Sequence, residues 1–213
     1  MKKVILGIAL AMGVSLSTFA QIGAGKMFAG GGLGISTSSD KNITDGTTTE
    51  GPKNFDLAIN PSFGYFVSDN LAIGLGISFT SSSSKFDAGA GEIKNSNNLF
   101  GLRPMVRYYK GFSETFFAYV EGSVGFSTGK GKTTGGGTTT ENSNISNFGI
   151  NVAPGFAFFP TEKYAFELQF NLLGFNRFVD KDPTDTANRD IDSGFNVGFN
   201  SFAPVSLGFN YFF

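Results

Sequence analysis

The sequence predicts an all-β chain that closes into an eight-stranded antiparallel up-and-down transmembrane β-barrel, and three observations predict it. Large apolar residues alternate with small or polar ones along successive segments, the two-residue period of a strand. The connections between those segments alternate between long and short. An apolar leader opens the chain and marks it for export.

In the leader, Lys2 and Lys3 precede an apolar run from Val4 to Leu16, and Ser17-Thr18-Phe19-Ala20 follow before Gln21. This is the layout of a secretory signal peptide, so residues 1–20 are expected to be removed after Ala20, leaving 21–213 as the barrel domain. The run is shorter than the about 20 apolar residues a spanning helix needs. The chain has no cysteine, which excludes a lipid-anchored leader and any disulfide framework. Past Ala20 no uncharged apolar stretch approaches about 18 residues, so a membrane crossing by the mature chain requires strands.

The first strand is the glycine-rich segment near Met27 to Thr37. The second places Phe55, Leu57, Ile59, Pro61, Phe63 and Tyr65 on one face, and the third Leu71, Ile73, Leu75, Ile77 and Phe79. In the fourth, Phe100, Leu102, Pro104, Val106 and Tyr108 oppose Gly101, Arg103, Met105, Arg107 and Tyr109. The fifth sets Ala118, Val120, Gly122, Val124 and Phe126 against Tyr119, Glu121, Ser123 and Gly125. The sixth runs from Asn147 to Phe158, and the seventh sets Tyr164, Phe166, Leu168, Phe170 and Leu172 against Ala165, Glu167, Gln169 and Asn171. The eighth alternates from Phe195 to the terminal Phe213.

Long polar loops are expected at 38–53, 81–96, 128–146 and 176–193, and tight turns near 67–70, 110–115 and 160–163. That asymmetry is the layout of an outer-membrane barrel, with long loops outside and short periplasmic turns. The second face decides between membrane and water. It carries Gly, Ala, Ser and Asn with few charges, too small and too neutral for a solvated surface but suited to the crowded interior of a small barrel. The greasy face then meets lipid, and closure pairs every backbone group that hydrocarbon would leave unsatisfied. Phe66, Tyr108, Phe158 and Tyr164 are expected in the interfacial girdle.

A repeat marks the even strands: Pro61 precedes Tyr65-Phe66, Pro104 precedes Tyr108-Tyr109, Pro154 precedes Phe158-Phe159, and Pro204 precedes Phe209. Each proline lacks a ladder donor and is expected at a bulge or bend. With the alternating end Val205, Leu207, Phe209, Tyr211 and Phe213, this repeat resembles the porin-like outer-membrane β-barrel domain family, small barrels of the OmpX and OmpA-transmembrane-domain kind. The resemblance covers the whole mature chain. It implies a monomer in the bacterial outer membrane, contacting its lipids and inserted by the barrel-assembly machinery through the strand that ends at Phe213. It implies no catalytic residue.

The chain has no histidine, so a Ser-His-Asp site cannot be built, and with cysteine also missing, zinc and haem ligation are not expected. No cofactor and no metal site is expected, and no enzymatic activity. The 16 basic and 17 acidic residues leave no nucleic-acid footprint. Asp180, Asp182, Asp185, Asp190 and Asp192 crowd the last long loop without the glycine and terminal glutamate of a calcium loop, and read as a solvated acidic loop. Gly30-Gly31-Gly32 lacks the Lys-Ser/Thr pair of a phosphate loop and reads as close strand packing.

The candidate site is a lumenal charge network of Arg103, Arg107, Glu121 and Glu167 on the second face. Pairing across a turn near residue 112 is expected to bring Arg103 close to Glu121. The network reads first as mutual charge satisfaction inside a filled barrel and second as a gate. The expected function is accordingly a structural or surface-interaction role, the barrel anchoring four long loops that meet an extracellular partner. The alternative is a narrow channel for small solutes.

Overall fold

A computed structural model of the chain describes residues 22–44, 47–87, 89, 91–185, 187–197 and 206–213. The expected leader, its cleavage point and Pro204 lie outside these residues. Among them are β1 (Met27–Thr44), β2 (Thr47–Ser68), β3 (Leu71–Asp87), β4 (Glu92–Gly111), β5 (Phe116–Gly135), β6 (Thr138–Thr161), β7 (Tyr164–Gln169), β8 (Leu173–Lys181), β9 (Arg189–Val197) and β10 (Ser206–Phe212). Every pairing is antiparallel, and successive hairpins lead from β1 to β6. β6 then pairs with β7 near its C-terminal end and with β8 before it. β9 pairs with β8, while β10 lies between β7 and β1. The sheet therefore returns to its first strand in a ring of eight places, with β7 and β8 sharing one and β9 and β10 another.

Alternation sorts the side chains as the sequence predicts. Phe63, Ile73, Tyr108 and Phe166 point outward and are about half exposed, while Tyr109, Ala157 and Ala165 on the other parity are buried. Phe66 departs from expectation. It is fully buried, because its even position in β2 turns it into the lumen, so it belongs to the barrel core and not to the girdle.

The expected long loops are a larger correction. The ladders continue through Thr44↔Thr47, Asp87↔Glu92, Gly135↔Thr138 and Lys181↔Arg189, so most of each stretch is paired strand. A spanning strand needs about 9–11 residues, whereas β2 has 22 and β6 has 24. The excess stands beyond the apolar band as a polar extension of the barrel wall. Once the barrel sets the register, further threonine-rich residues extend the ladder readily. Cross-strand polar contacts reinforce it: Thr133 donates to Asn95 at 2.8 Å, Asn142 donates to Thr133 at 3.0 Å, and the Thr134 and Thr139 hydroxyls are 2.9 Å apart. Gly136 (φ 58) and Gly137 (φ 79) close the β5–β6 hairpin in the backbone region a type I′ turn demands.

The prolines disturb the ladder less than expected. Pro61 pairs with Gly31 and Pro104 with Leu75; on the opposite side of each, pairing lapses for two residues and resumes in the same register. The missing donor opens a gap, not a bulge. At Pro154 the register does slip, by one residue between Val152↔Leu173 and Gly155↔Gln169. The strand expected to run from Tyr164 to Leu172 accordingly breaks after Gln169, held to β6 by Phe170 N donating to Pro154 O at 2.9 Å and Leu172 N to Val152 O at 3.1 Å. The strand expected from Phe195 to Phe213 is described as the end of β9 and as β10, with 198–205 outside the described residues.

The lumen is filled at the end bearing the short turns. Phe28, Phe66, Tyr109, Tyr119, Phe159 and Phe212 converge there with Ala72, Ala157 and Ala165 between them. Ring centroids lie 5.5 Å apart for Phe28–Phe212 and Phe66–Tyr109, 5.4 Å for Tyr109–Tyr119 and 4.9 Å for Phe159–Phe212. Glycine makes room for the rings: a Cβ on Gly64 would overlap Phe28, and one on Gly155 would overlap Tyr119. Gly31 sits opposite Pro61 at φ 148, and a Cβ there would strike the Asn60 carbonyl, so the glycine run serves close strand packing.

The acidic hairpin between β8 and β9 uses its carboxylates internally. Asp182 accepts from Thr184 N at 2.7 Å, Thr184 Oγ1 at 2.6 Å and Asp185 N at 3.2 Å. The Thr184 hydroxyl, then the two amides, hold its carboxyl below the usual carboxylate range. Asp185 accepts from Ala187 N at 3.0 Å.

Candidate functional site

The four predicted site residues lie together on the aromatic floor. Arg103 and Arg107 share the inward parity of β4, Glu121 that of β5, and Glu167 that of β7. The ladder register differs from expectation. Arg107, not Arg103, stands directly across from Glu121, because the β4–β5 turn is centred two residues later than residue 112. Arg103 meets the same carboxylate through the length of its side chain, its Nη1 donating to Glu121 Oε1.

Arg107 is the hub. Its Nε donates to Glu121 Oε2 at 2.5 Å, and its Nη1 donates to Glu167 at 2.9 and 3.1 Å and to the Tyr109 hydroxyl at 3.3 Å. Tyr109 in turn donates to Glu167 at 3.4 Å. The guanidinium carbon lies 4.9 Å from the Tyr119 ring centroid and 5.3 Å from that of Phe28, within cation–π range. Glu121 is wholly buried, as Glu167 and Arg107 nearly are, while the Arg103 side chain keeps 35% exposure. Two arginines against two glutamates leave the cluster neutral. Such a group is expensive to bury and more expensive to break, since removing one partner strands a charge in the interior.

Sequence reasoning overlooked the rings that hold Arg107. Phe28, Tyr109 and Tyr119 all sit at inward parity, so alternation carried the signal, but their convergence depends on barrel closure.

Beyond the cluster, away from the floor, the lumen widens into a cavity of about 540 Å³ whose lining includes Asn60, Ser62, Arg103, Ser123, Glu167 and Asn210. Asn147 Oδ1, Gln169 Nε2 and Asn210 Oδ1 border it without a protein hydrogen-bond partner, so the space suits water or a polar solute. Among the described residues no group of acids is arranged to hold a metal ion.

Comparison with known proteins places this architecture. Residues 6–201 match the family model described as the outer membrane protein beta-barrel domain. The fold is similar to that of the outer membrane protein OprG from Pseudomonas aeruginosa, at 15% identity and TM-score 0.52, covering 92% of this chain and 99% of that one. Escherichia coli outer membrane protein W is similar at 13% identity and TM-score 0.46, covering 90% and 99%. The attachment invasion locus protein Ail of Yersinia pestis is similar at 16% identity and TM-score 0.41, covering 89% and 99%. No curated protein matches the sequence.

Proposed function

We propose that this chain, which belongs to the outer membrane protein beta-barrel domain family, is a non-enzymatic surface protein whose closed barrel anchors a stiff extracellular platform. The observation that carries this reading is the closed floor of the lumen. Six rings converge at the end bearing the short turns, and a neutral, buried Arg–Glu cluster lies directly on them. An ion crossing the barrel would have to displace both, in an interior where unpaired charge is costly.

The other end supports the same reading. The wall continues as paired hairpins and offers a rigid, threonine- and asparagine-rich surface, which costs a partner less ordering entropy than mobile loops would. Insertion through the C-terminal strand ending at Phe213, as a monomer, belongs to this proposal.

Planar-bilayer recording of the refolded protein tests it. Wild type should show no discrete conductance steps, while Phe66→Ala combined with Tyr109→Ala, which removes two rings of the floor, should produce current. Discrete steps in wild type that vanish on changing Arg103 or Glu121 would overturn the reading in favour of a narrow, gated channel for small solutes.

A further inference from the structure

The outer face of the barrel carries a groove separate from the lumenal cavity. It measures about 530 Å³ and crosses β4, β5, β6, β8 and β9. The registers explain its shape. One rung of outward residues runs Leu102, Phe126, Phe148 and Arg177; the next holds the small Thr128 and Ser146 followed by Val179 and Ile191; Lys181 and Arg189 face each other one rung further toward the extracellular end. Small residues form the floor, aromatic residues one wall and cations the other.

Three cations line this groove, while the other outward cations either are paired or, like Lys94, Lys110 and Lys132, lie outside its lining. Lys53 pairs with Glu50 at 2.7 Å, Lys85 with Glu92 at 2.9 Å and Lys130 with Glu141 at 2.9 Å. Arg177, Lys181 and Arg189 have no acidic partner among the described residues. The neighbouring acids Asp180, Asp190 and Asp192 fall on the inward parity, where Asp180 accepts from Ser143.

We propose that this groove binds a phosphate-bearing lipid of the outer leaflet. The aromatic wall continues the lipid-facing band, and the cations stand where that band gives way to the polar extension, the depth at which headgroups lie. Uncompensated cations beside hydrocarbon call for an anionic partner, and guanidinium groups match phosphate oxygens in forked geometry. An occupant therefore needs hydrocarbon and phosphate in one molecule. The inference rests on the outer-membrane placement and is independent of whether the lumen conducts.

Native mass spectrometry of the refolded protein in detergent micelles, titrated with lipid A bearing both its phosphates, tests this. Wild type should retain the lipid, and lipid A stripped of its phosphates should bind at least about tenfold more weakly. Arg177→Gln, Lys181→Gln and Arg189→Gln together should weaken binding by about a hundredfold, as expected for three basic side chains against anionic headgroups. The same change at the paired Lys53, Lys85 and Lys130 should leave it unaltered. Equal retention of the two lipids, or full retention by the groove variant, would overturn the proposal, as would displacement by inorganic phosphate at matched concentration. The comparison of the two lipids needs only wild-type protein, so it decides even if the groove variant does not fold.

Discussion

Arg107 and Glu121 are direct cross-strand partners on β4 and β5, with Arg107 Nε donating to Glu121 Oε2 at 2.5 Å inside the barrel. Glu121 also accepts from Arg103, so one carboxylate bridges two guanidinium groups. Replacing Glu121 by alanine should destabilise the barrel by about 3–5 kcal/mol, because it leaves Arg103 and Arg107 with Glu167 as the one carboxylate of the cluster. Converting Arg103 to methionine and Glu121 to leucine together should cost less than the single change, since Arg107 and Glu167 stay paired. Urea unfolding in micelles, followed by circular dichroism, measures both; a loss under about 1 kcal/mol for Glu121→Ala would show that the cluster contributes little to stability.

Gly64 lies beneath the Phe28 ring with no space for a methyl group. Gly64→Ala should cost about 1–3 kcal/mol by overpacking. At Gly34 the nearest neighbour to an added Cβ is the Ala58 methyl at 3.7 Å, ordinary contact distance, so Gly34→Ala should be neutral to within about 0.5 kcal/mol. Heat-dependent gel mobility and chemical unfolding separate the two variants, and equal losses would contradict the packing described for the floor.

The β5–β6 ladder, which runs to the hairpin tip with one register shift between Gly131 and Lys132, predicts slow amide exchange through residues 127–135 and 138–146, where a mobile loop would exchange within seconds. Gly137→Ala, at φ 79, should cost about 1 kcal/mol and accelerate exchange near the hairpin tip while leaving residues 118–126 protected. Hydrogen–deuterium exchange read by mass spectrometry checks this, and fast exchange throughout 127–146 in wild type would return the segment to a loop.

Asp182 should organise the β8–β9 hairpin in a pH-dependent way. Its carboxyl is held below the usual range by Thr184 and Asp185, so the turn is fully formed above the ordinary carboxylate pKa and loosens as pH falls through the lowered value. The amide resonances of Thr184 and Asp185 should titrate together on acidification, and Asp182→Ala should abolish that titration. Amide shifts unchanged across the acid range would remove Asp182 as the organiser of the turn.

Alternation assigned most of the strand segments, the inward and outward faces of their residues and the four members of the charge cluster, because a side chain's face depends only on the parity of its position. Glycines and alanines on the inward face likewise announced a crowded lumen. Three matters depended on tertiary structure. Threonine-, serine- and asparagine-rich stretches read as loops because their composition suits either state, and only a neighbouring strand already in register made Thr128 to Gly135 and Thr138 to Ser146 continue the ladder. Arg107 became the hub because register, set by the exact centre of the β4–β5 turn, placed it and not Arg103 across from Glu121. The floor and the outer groove arise from residues far apart in the chain, such as Phe28 with Phe212 and Phe126 with Arg189. Parity fixes where one side chain points, whereas closure and register decide which side chains meet.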